Sequence, residues 1–468
     1  MLYYISIKGV VELVKEKRYG IDLTQGRVST MLLRFAWPFV AANLVNALHG
    51  VISMLVVGQF TSTEVIAGVS TGTQMMFPLF PFIQGVGTAG TVLIGRCIGE
   101  KDDDAGRRAV GSFAFVSAVL VAVLTLLMIF GREPLIAALK TPAEAVSSAR
   151  RYVKLCTIGV PFNTAYGMLC AVARGMGNSK APSIAAGVSC AVNIALSLLL
   201  VGVFGLAEAG VAIATSIAQF LGFVVIGLWI LIRKFPFAFS SKDLKADPAS
   251  VKFILRVGFP LVLQELLISI SFMINQNRVN NLGVEAAASV GVVQRIFNVA
   301  GVIPNSFGAA IAAVTAQNIG AGKRDRAAAS MKWGILYAAM INAVILLFCQ
   351  ISPSAITSIF AKDQNIVDGA ASYLRSFSID GLCVAFVFCM NAYLSGCGKS
   401  KVSMWHSLAT AFLLRVPLSI YVTGIPGLEL NTRLLYLGFV SPLASMVSVF
   451  AVLVYIVWYN KKSELVQI

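Results

Sequence analysis

Residues Ala173–Pro182 read ARGMGNSKAP, and the same design returns at Leu394–Ser403 as LSGCGKSKVS. Gly175, Gly177, Ser179 and Lys180 stand in register with Gly396, Gly398, Ser400 and Lys401, about 221 positions later. Each copy follows one long apolar segment and precedes another. Glycine lets the backbone turn sharply at such a junction, and Ser-Lys adds polar and positive groups to the turn. A phosphate loop is the competing reading, but the spacing is not that of a Walker A motif and no strand precedes it. Working outward, Arg34-Phe-Ala-Trp-Pro38 pairs with Arg256-Val-Gly-Phe-Pro260 at an offset of about 222. Ile98-Gly-Glu-Lys-Asp-Asp-Asp-Ala105 pairs with Ile319-Gly-Ala-Gly-Lys-Arg-Asp-Arg-Ala327. Three matches at nearly one offset make an internal repeat, so the chain is two homologous halves.

Composition sets the class of each half. The 468 residues are 57% hydrophobic and 12% charged, with a mean hydropathy of +0.82; a soluble chain carries about 25% charged residues. This is the balance of an all-α polytopic membrane protein. The net charge of +16 does not point to nucleic acid, because the basic residues sit in short gaps between apolar runs. There they act as topology signals and contacts for anionic lipid. The eight cysteines include Cys156, Cys170, Cys190, Cys383 and Cys389 in or beside apolar runs, without CxxC spacing. Neither a disulfide framework nor a zinc site is suggested.

Residues 1–29 are short and basic, without the apolar core and cleavage site of a signal peptide, and read as an amphipathic cytoplasmic lead-in. Six apolar segments long enough to span a bilayer, each about 20 residues or more, follow: Thr30–Val57, Val65–Ile94, Ala109–Gly131, Val153–Ala173, Pro182–Phe204 and Gly210–Ile232. A polar, basic, proline-containing linker covers 233–252. Six more mirror the first set: Phe253–Asn277, Ala286–Ala316, Ser330–Ile351, Tyr373–Leu394, Val402–Thr423 and Leu434–Tyr459. The bundles therefore occupy 30–232 and 253–459, with a tail at 460–468. Twelve spans put both termini on one side. About 26 of the 37 Lys and Arg lie at the termini, in the even-numbered gaps or at the adjoining span ends, which assigns that side to the cytoplasm. Two six-helix halves of equal polarity are related by an axis along the membrane normal, a plan used for alternating access.

From Arg34 to Tyr459 this pattern resembles the multidrug and toxic compound extrusion (MATE) transporters. The residues that carry the resemblance are Ala36-Trp-Pro38, Val57-Gly58, Ile98-Gly-Glu-Lys-Asp102, Ala173–Pro182, Asn193 and Gly210–Thr215 in the first half. In the second they are Gly258-Phe-Pro260, Ala316-Gln-Asn-Ile-Gly320-Ala-Gly322 and Gly396–Lys401. The resemblance implies two six-helix bundles with pseudo-twofold symmetry that export amphipathic, often cationic organic compounds in exchange for H⁺ or Na⁺. It implies a monomer in the cell membrane, in contact with lipid and small-molecule substrates, that is not an enzyme and uses no cofactor besides the coupling ion.

The chain departs from that family where coupling chemistry usually sits. An aspartate five residues before the glycine that closes the first span is replaced by Ser53. A second, four residues after the fifth-span asparagine Asn193, is replaced by Ser197. Asn193 and Thr215, the polar companions, are retained. Serine neither titrates nor supplies negative charge, so the first-half ion site is in doubt. His49 lies one turn before Ser53 and titrates near neutral pH in water; a histidine hydrogen-bonded inside the bundle is the plainer reading. Ionisable groups inside spans are costly and default to functional candidates. These are Glu265 in the seventh span, Arg295 in the eighth, Asp380 in the tenth and Arg415 in the eleventh. The repeat mate of Glu265 is Asn43, so the second half carries the charge that the first lacks. A carboxyl able to exchange a proton couples transport; an ion pair of Asp380 or Glu265 with Arg295 or Arg415 would only join helices. No nucleotide-binding motif, catalytic triad or metal-ligand cluster is present. The alternatives are a lipid-linked saccharide flippase of the same superfamily, which carries more helices and more cavity arginines, and a non-transporting receptor, for which no sensor domain is available.

Overall fold

The computed structural model describes residues 20–138, 143–233, 235, 237 and 239–465. Among them every regular element is a helix. The first span is α1 (Val28–Phe60); the second is broken into α2 (Thr63–Met76) and α3 (Leu79–Glu100). Then come α4 (Asp103–Ala138), α5 (Ala143–Gly175), α6 (Lys180–Ser197, continued by a π-helical stretch Leu198–Val203) and α7 (Ala207–Arg233). The second half repeats this order with α8 (Pro248–Asn280), a broken pair α9 (Val284–Ala300) and α10 (Val302–Gly320), and α11 (Arg324–Ile351). A short α12 (Pro353–Ser358) leads to α13 (Gln364–Gly396). The eleventh span is α14 (Ser400–Thr410), a π-helical stretch Ala411–Arg415 and α15 (Val416–Gly424), and α16 (Leu430–Leu465) is the last. Twelve of the described segments are long and apolar enough to cross a membrane, in the order the sequence predicts.

The differences from expectation have local causes. The second span breaks at Phe77-Pro78 and the eighth at Gly301. Proline lacks the N–H that would continue the ladder, and glycine is the weakest non-proline helix former. Both α4 and α5 run well past the expected limits at Gly131 and Val153. Their extra turns are charged: Arg150 Nε and Nη2 donate to Glu133 Oε1 and Oε2 at 3.0 and 2.9 Å. Hydropathy marks where the membrane ends, not where the helix does.

The chain divides into two compact units, Met1–Gly258 with Ala316–Arg326, and Phe259–Thr315 with Ala327–Ile468. In the first unit α5 is central and packs on α2, α3, α4 and α7, while α6 lies against α1 and α7. In the second unit α13 holds the same place against α9 and α16. Glycines permit these close approaches, and they are repeat mates. A Cβ on Gly175 would lie 2.9 Å from Thr91 O, and one on Gly396 would lie 2.6 Å from Thr315 Cβ. The core of the second unit gathers Val290, Val293, Leu374, Phe377 and Leu434, with Phe377 edge-on to Phe297 at 4.7 Å. Large apolar side chains outside these cores, such as Phe130 (76% exposed) and Ile232 (74%), fit helices solvated by lipid.

The linker is not an open connector along its whole length. Phe237 is buried against Gly106, Asp247 N–H donates to Ser112 Oγ at 2.9 Å, and a Cβ on Gly111 would meet Asp243 O at 1.9 Å. Phe237 and the stretch 243–247 therefore lie along α4. Asp247 then caps α8: its Oδ2 accepts Ser250 N–H at 2.8 Å, with Pro248 opening the helix. Hydrogen bonds from Ser250 hold the Asp247 carboxyl below its usual range, so this cap is present at neutral pH and is lost as pH falls through that lowered value.

Four helix ends close in one way. At α5, Asn178 N–H reaches Ala173 O at 2.9 Å and Gly177 N–H reaches Arg174 O at 3.0 Å. At α13, Lys399 reaches Leu394 O and Gly398 reaches Ser395 O, at 2.8 and 2.9 Å. The ends of α3 and α10 repeat the pattern through Asp102 and Lys101, and through Lys323 and Gly322. This closure needs a left-handed residue, supplied by Gly177 (φ 78°), Gly398 (φ 75°) and Gly322 (φ 72°), but by Lys101 (φ 58°) in the fourth. The left-handed region costs a side chain about 1–2 kcal/mol, partly offset by glycine's larger entropy loss on folding. Lys101→Gly is therefore expected to stabilise the protein, by about 0.5–1 kcal/mol. A thermal-unfolding midpoint in detergent no higher than the parent's would contradict it.

Candidate functional site

The residues singled out in the sequence fall into two groups. In the first unit Asn193, Ser197 and Thr215 meet. The Asn193 amide donates to Thr215 Oγ1 at 3.2 Å, and its Oδ1 accepts from the Ser197 hydroxyl at 3.2 Å. Thr215 Oγ1 in turn donates to Val211 O at 2.9 Å. Asn193 and Ser197 are 3% and 1% exposed. This group is neutral, buried and mutually hydrogen-bonded, so it neither titrates nor presents charge. Ser53 lies half-buried on α1. His49 is on the same helix, but its side chain lies outside the described residues.

In the second unit the structure brings Asp380 and Arg415 together and leaves Glu265 and Arg295 out. Asp380 is 5% exposed on α13, and its Oδ1 has no hydrogen-bond partner. The Arg415 guanidinium is an opposing charge that acts on it, and the Ser445 hydroxyl of α16 hydrogen-bonds to it. Tyr373 lies two turns before Asp380 on the same face of α13. Arg415 sits at the end of the π-helical stretch, where the wide turn shifts the register of the side chains that follow. Its guanidinium lies over the Phe272 ring of α8 at 4.8 Å, and its Nε is buried without a partner. Among the described residues no direct ion pair joins Asp380 and Arg415. They attract across a gap, an arrangement that stabilises less than a closed pair and leaves polar atoms of both open to another ligand. Glu265 and Arg295 are exposed on α8 and α9.

Several buried polar groups of the second unit were not anticipated. On α8, Gln264, Ser271 and Asn275 each carry a buried oxygen without a partner. Their spacing of seven and four residues puts them on one helix face, a signal readable in the sequence of α8. Ser419, one turn beyond Arg415, has a buried unpartnered hydroxyl as well. His406 of α14 is the other surprise. Its Nε2 meets Asn391 Oδ1 at 2.7 Å and its Nδ1 meets Ser448 Oγ at 2.8 Å. Asn391 Oδ1 can only accept, so Nε2 carries a proton, and in the neutral imidazole Nδ1 accepts from the Ser448 hydroxyl. Ser441, Ser445 and Ser448 form a buried hydroxyl stripe on α16 that runs from His406 to Asp380. No local sequence signal marks His406, because its partners come from two other helices.

A family model, MatE, matches this chain twice, over residues 38–199 and 260–421. Among curated relatives, the probable multidrug resistance protein YoeA of Bacillus subtilis is 28% identical over 340 residues, 70% of this chain and 73% of the relative. The probable multidrug resistance protein NorM of Thermotoga maritima is 23% identical over 401 residues, covering 83% of this chain and 84% of the relative. A crystal structure of MATE in the straight conformation superposes with a TM-score of 0.88 at 21% identity, covering 94% of this chain and 99% of that one. A transporter of the MOP superfamily from Pyrococcus furiosus, described as having a binding pocket of reversed polarity, gives 0.87 at 20% identity, over 93% and 98% of the two chains.

Proposed function

Because the chain belongs to the MATE family of multidrug efflux transporters, we propose that it is a secondary antiporter. It exports small organic compounds, often cationic or amphipathic, in exchange for H⁺ or Na⁺ by alternating access. It is a multi-pass membrane protein and not an enzyme. The observation that carries the proposal is the double match of the family model, one copy on each six-span half. Antiport by alternating access needs two states with different preferences for substrate and ion, and paired repeats supply them.

The coupling groups are assigned to the second half, with Asp380 first and Glu265 second. The first-half cluster of Asn193, Ser197 and Thr215 is neutral, whereas Asp380 is a buried carboxyl with a free acceptor in a spanning helix. Arg415 sets its electrostatic surroundings. The protein acts as a monomer in the cell membrane, surrounded by lipid, with both termini cytoplasmic.

The deciding experiment is efflux of a cationic dye from cells, with the proton gradient and the sodium gradient collapsed separately. Efflux should stop when one of the two is removed; efflux indifferent to both would reject ion-coupled antiport. Orientation is checked by a cysteine at exposed Lys245, which should resist impermeant maleimide outside intact cells and react after permeabilisation. Reaction in intact cells would invert the topology.

A further inference from the structure

The segment just before α1 is held in place more tightly than a lead-in requires. Leu23 is fully buried and Thr24 is 8% exposed. Ile21 N–H donates to Gly177 O at 3.0 Å, so the segment lies on the turn that opens the repeat. Neither backbone tolerates a side chain there: a Cβ on Gly20 would lie 2.2 Å from Met176 O, and one on Gly177 would lie 2.3 Å from Ile21 O. The segment is also held by its own contacts, because Asp22 accepts Thr24 N–H and its hydroxyl at 2.9 and 2.7 Å.

What grips it from the other side belongs to the second repeat. Gln317 Oε1 accepts Leu23 N–H at 3.2 Å, and Asn318 Nδ2 donates to Leu23 O at 3.0 Å. Lys323 Nζ donates to Thr24 O at 3.0 Å, and Arg326 donates to the carbonyls of Gln25 and Gly26 at 3.0 and 2.7 Å. Gln317 also donates to Gly175 O at 2.9 Å. These residues continue α10, yet they cluster with the first unit, so the segment is part of what ties them there. Beneath it α3 and α10 touch backbone to backbone. A Cβ on Gly99 would lie 2.0 Å from Gln317 O, and one on Gly320 would lie 2.1 Å from Arg96 O. Gly99 with Gly320, and Arg96 with Gln317, are repeat mates, so the contact is reciprocal.

We propose that residues 20–27 are a latch on the side that carries the basic gaps. Seated on the 175–178 turn and clasped by residues 317–326, they hold the ends of α3 and α10 together and must release 317–326 each time that side opens. The clasp is built for release. Apart from the buried Leu23 side chain it consists of polar side chains on backbone carbonyls and one backbone N–H, which water can replace one for one. The two cations add charge-assisted bonds that shorten the open interval without making closure permanent. The function of the latch rests on the alternating-access reading, but its existence does not.

The test uses the full chain in inside-out vesicles. Thr24→Cys with Lys323→Cys, bridged by a short reducible bis-thiosulfonate, should cut dye transport at least tenfold and regain it on reduction. The native cysteines are buried, and thiol counting confirms the bridge. Transport at the unbridged rate with the bridge formed overturns the latch. The second measurement needs no transport: Thr24→Cys alone should react with impermeant maleimide at least fivefold faster when Asn318→Ala and Arg326→Ala are added. Equal rates overturn the clasp. A parent that moves no dye, together with the expected rise in labelling, leaves the latch standing and removes the antiport reading instead.

Discussion

Asp380→Asn is expected to reduce gradient-driven export to the level of cells lacking the protein, while the variant still inserts and accumulates. The substitution keeps shape and hydrogen-bonding capacity but removes the exchangeable proton and the negative charge. The first-half cluster of Asn193, Ser197 and Thr215 does not replace them, because these side chains satisfy one another and carry no charge. A structural role predicts a different pattern. Removing one member of a buried pair strands the other, at up to about 3–5 kcal/mol, so a merely structural Asp380 would show itself as lost protein. The Arg415 guanidinium keeps its contact with Phe272 at 4.8 Å, which limits that loss. Asp380→Asn with Arg415→Gln separates the readings. If the pair only joins helices, the double variant regains abundance and pumps; if Asp380 couples, it regains abundance and stays silent. Export by either variant at the parent's rate ends the assignment, and Glu265→Gln then becomes the variant to watch.

How much of this was legible beforehand depends on where the determining contacts lie. The repeat, the twelve spans and the glycine turns are local, since apolar length and left-handed backbone are written into short stretches. Gly177 and Gly398 match at φ 78° and 75° because one closure recurs at one place in each half. The approach of Arg415 toward Asp380, which stops short of an ion pair, was one of four acid–arginine combinations open in the sequence. The choice among them required knowing that the π-helical stretch Ala411–Arg415 carries the guanidinium to Phe272 and toward Asp380. The latch was illegible for a plainer reason. It is recognised through the backbone of residues 23–26 by side chains about 300 positions away, so its own composition advertises nothing. Of the lead-in read at residues 1–29, the part at 20–27 is a bound, irregular segment, with α1 beginning at Val28. Residues 1–19 lie outside the described part.

Gly99→Val and Gly320→Val should each abolish transport, and for the same reason in mirror image. In the structure the end of α3 passes the end of α10 with no room for a Cβ on either glycine: 2.0 Å to Gln317 O in one case and 2.1 Å to Arg96 O in the other. Both obstacles are backbone carbonyls, which cannot rotate aside as a flexible side chain would, so the helices must move apart. A branched side chain makes the required shift larger than alanine does and also resists rotation about χ1. The closed arrangement of this end is thereby disfavoured, while an open arrangement, in which the glycines no longer face those carbonyls, is not. The expected phenotype is therefore specific: export lost by more than an order of magnitude, normal abundance, and faster maleimide labelling of a cysteine at Thr24 without any change in the clasp residues. By population-shift arithmetic, moving the equilibrium from almost wholly closed to almost wholly open takes about 5.5 kcal/mol. Two backbone overlaps of this depth are of the right order to supply it, so the double variant should label fastest of all. Gly58→Val is the control, because nothing lies within 4 Å of a Cβ built there. Parent-like export by Gly99→Val, or labelling at Thr24 no faster than in the Gly58→Val control, would mean that this crossing does not gate this end of the protein.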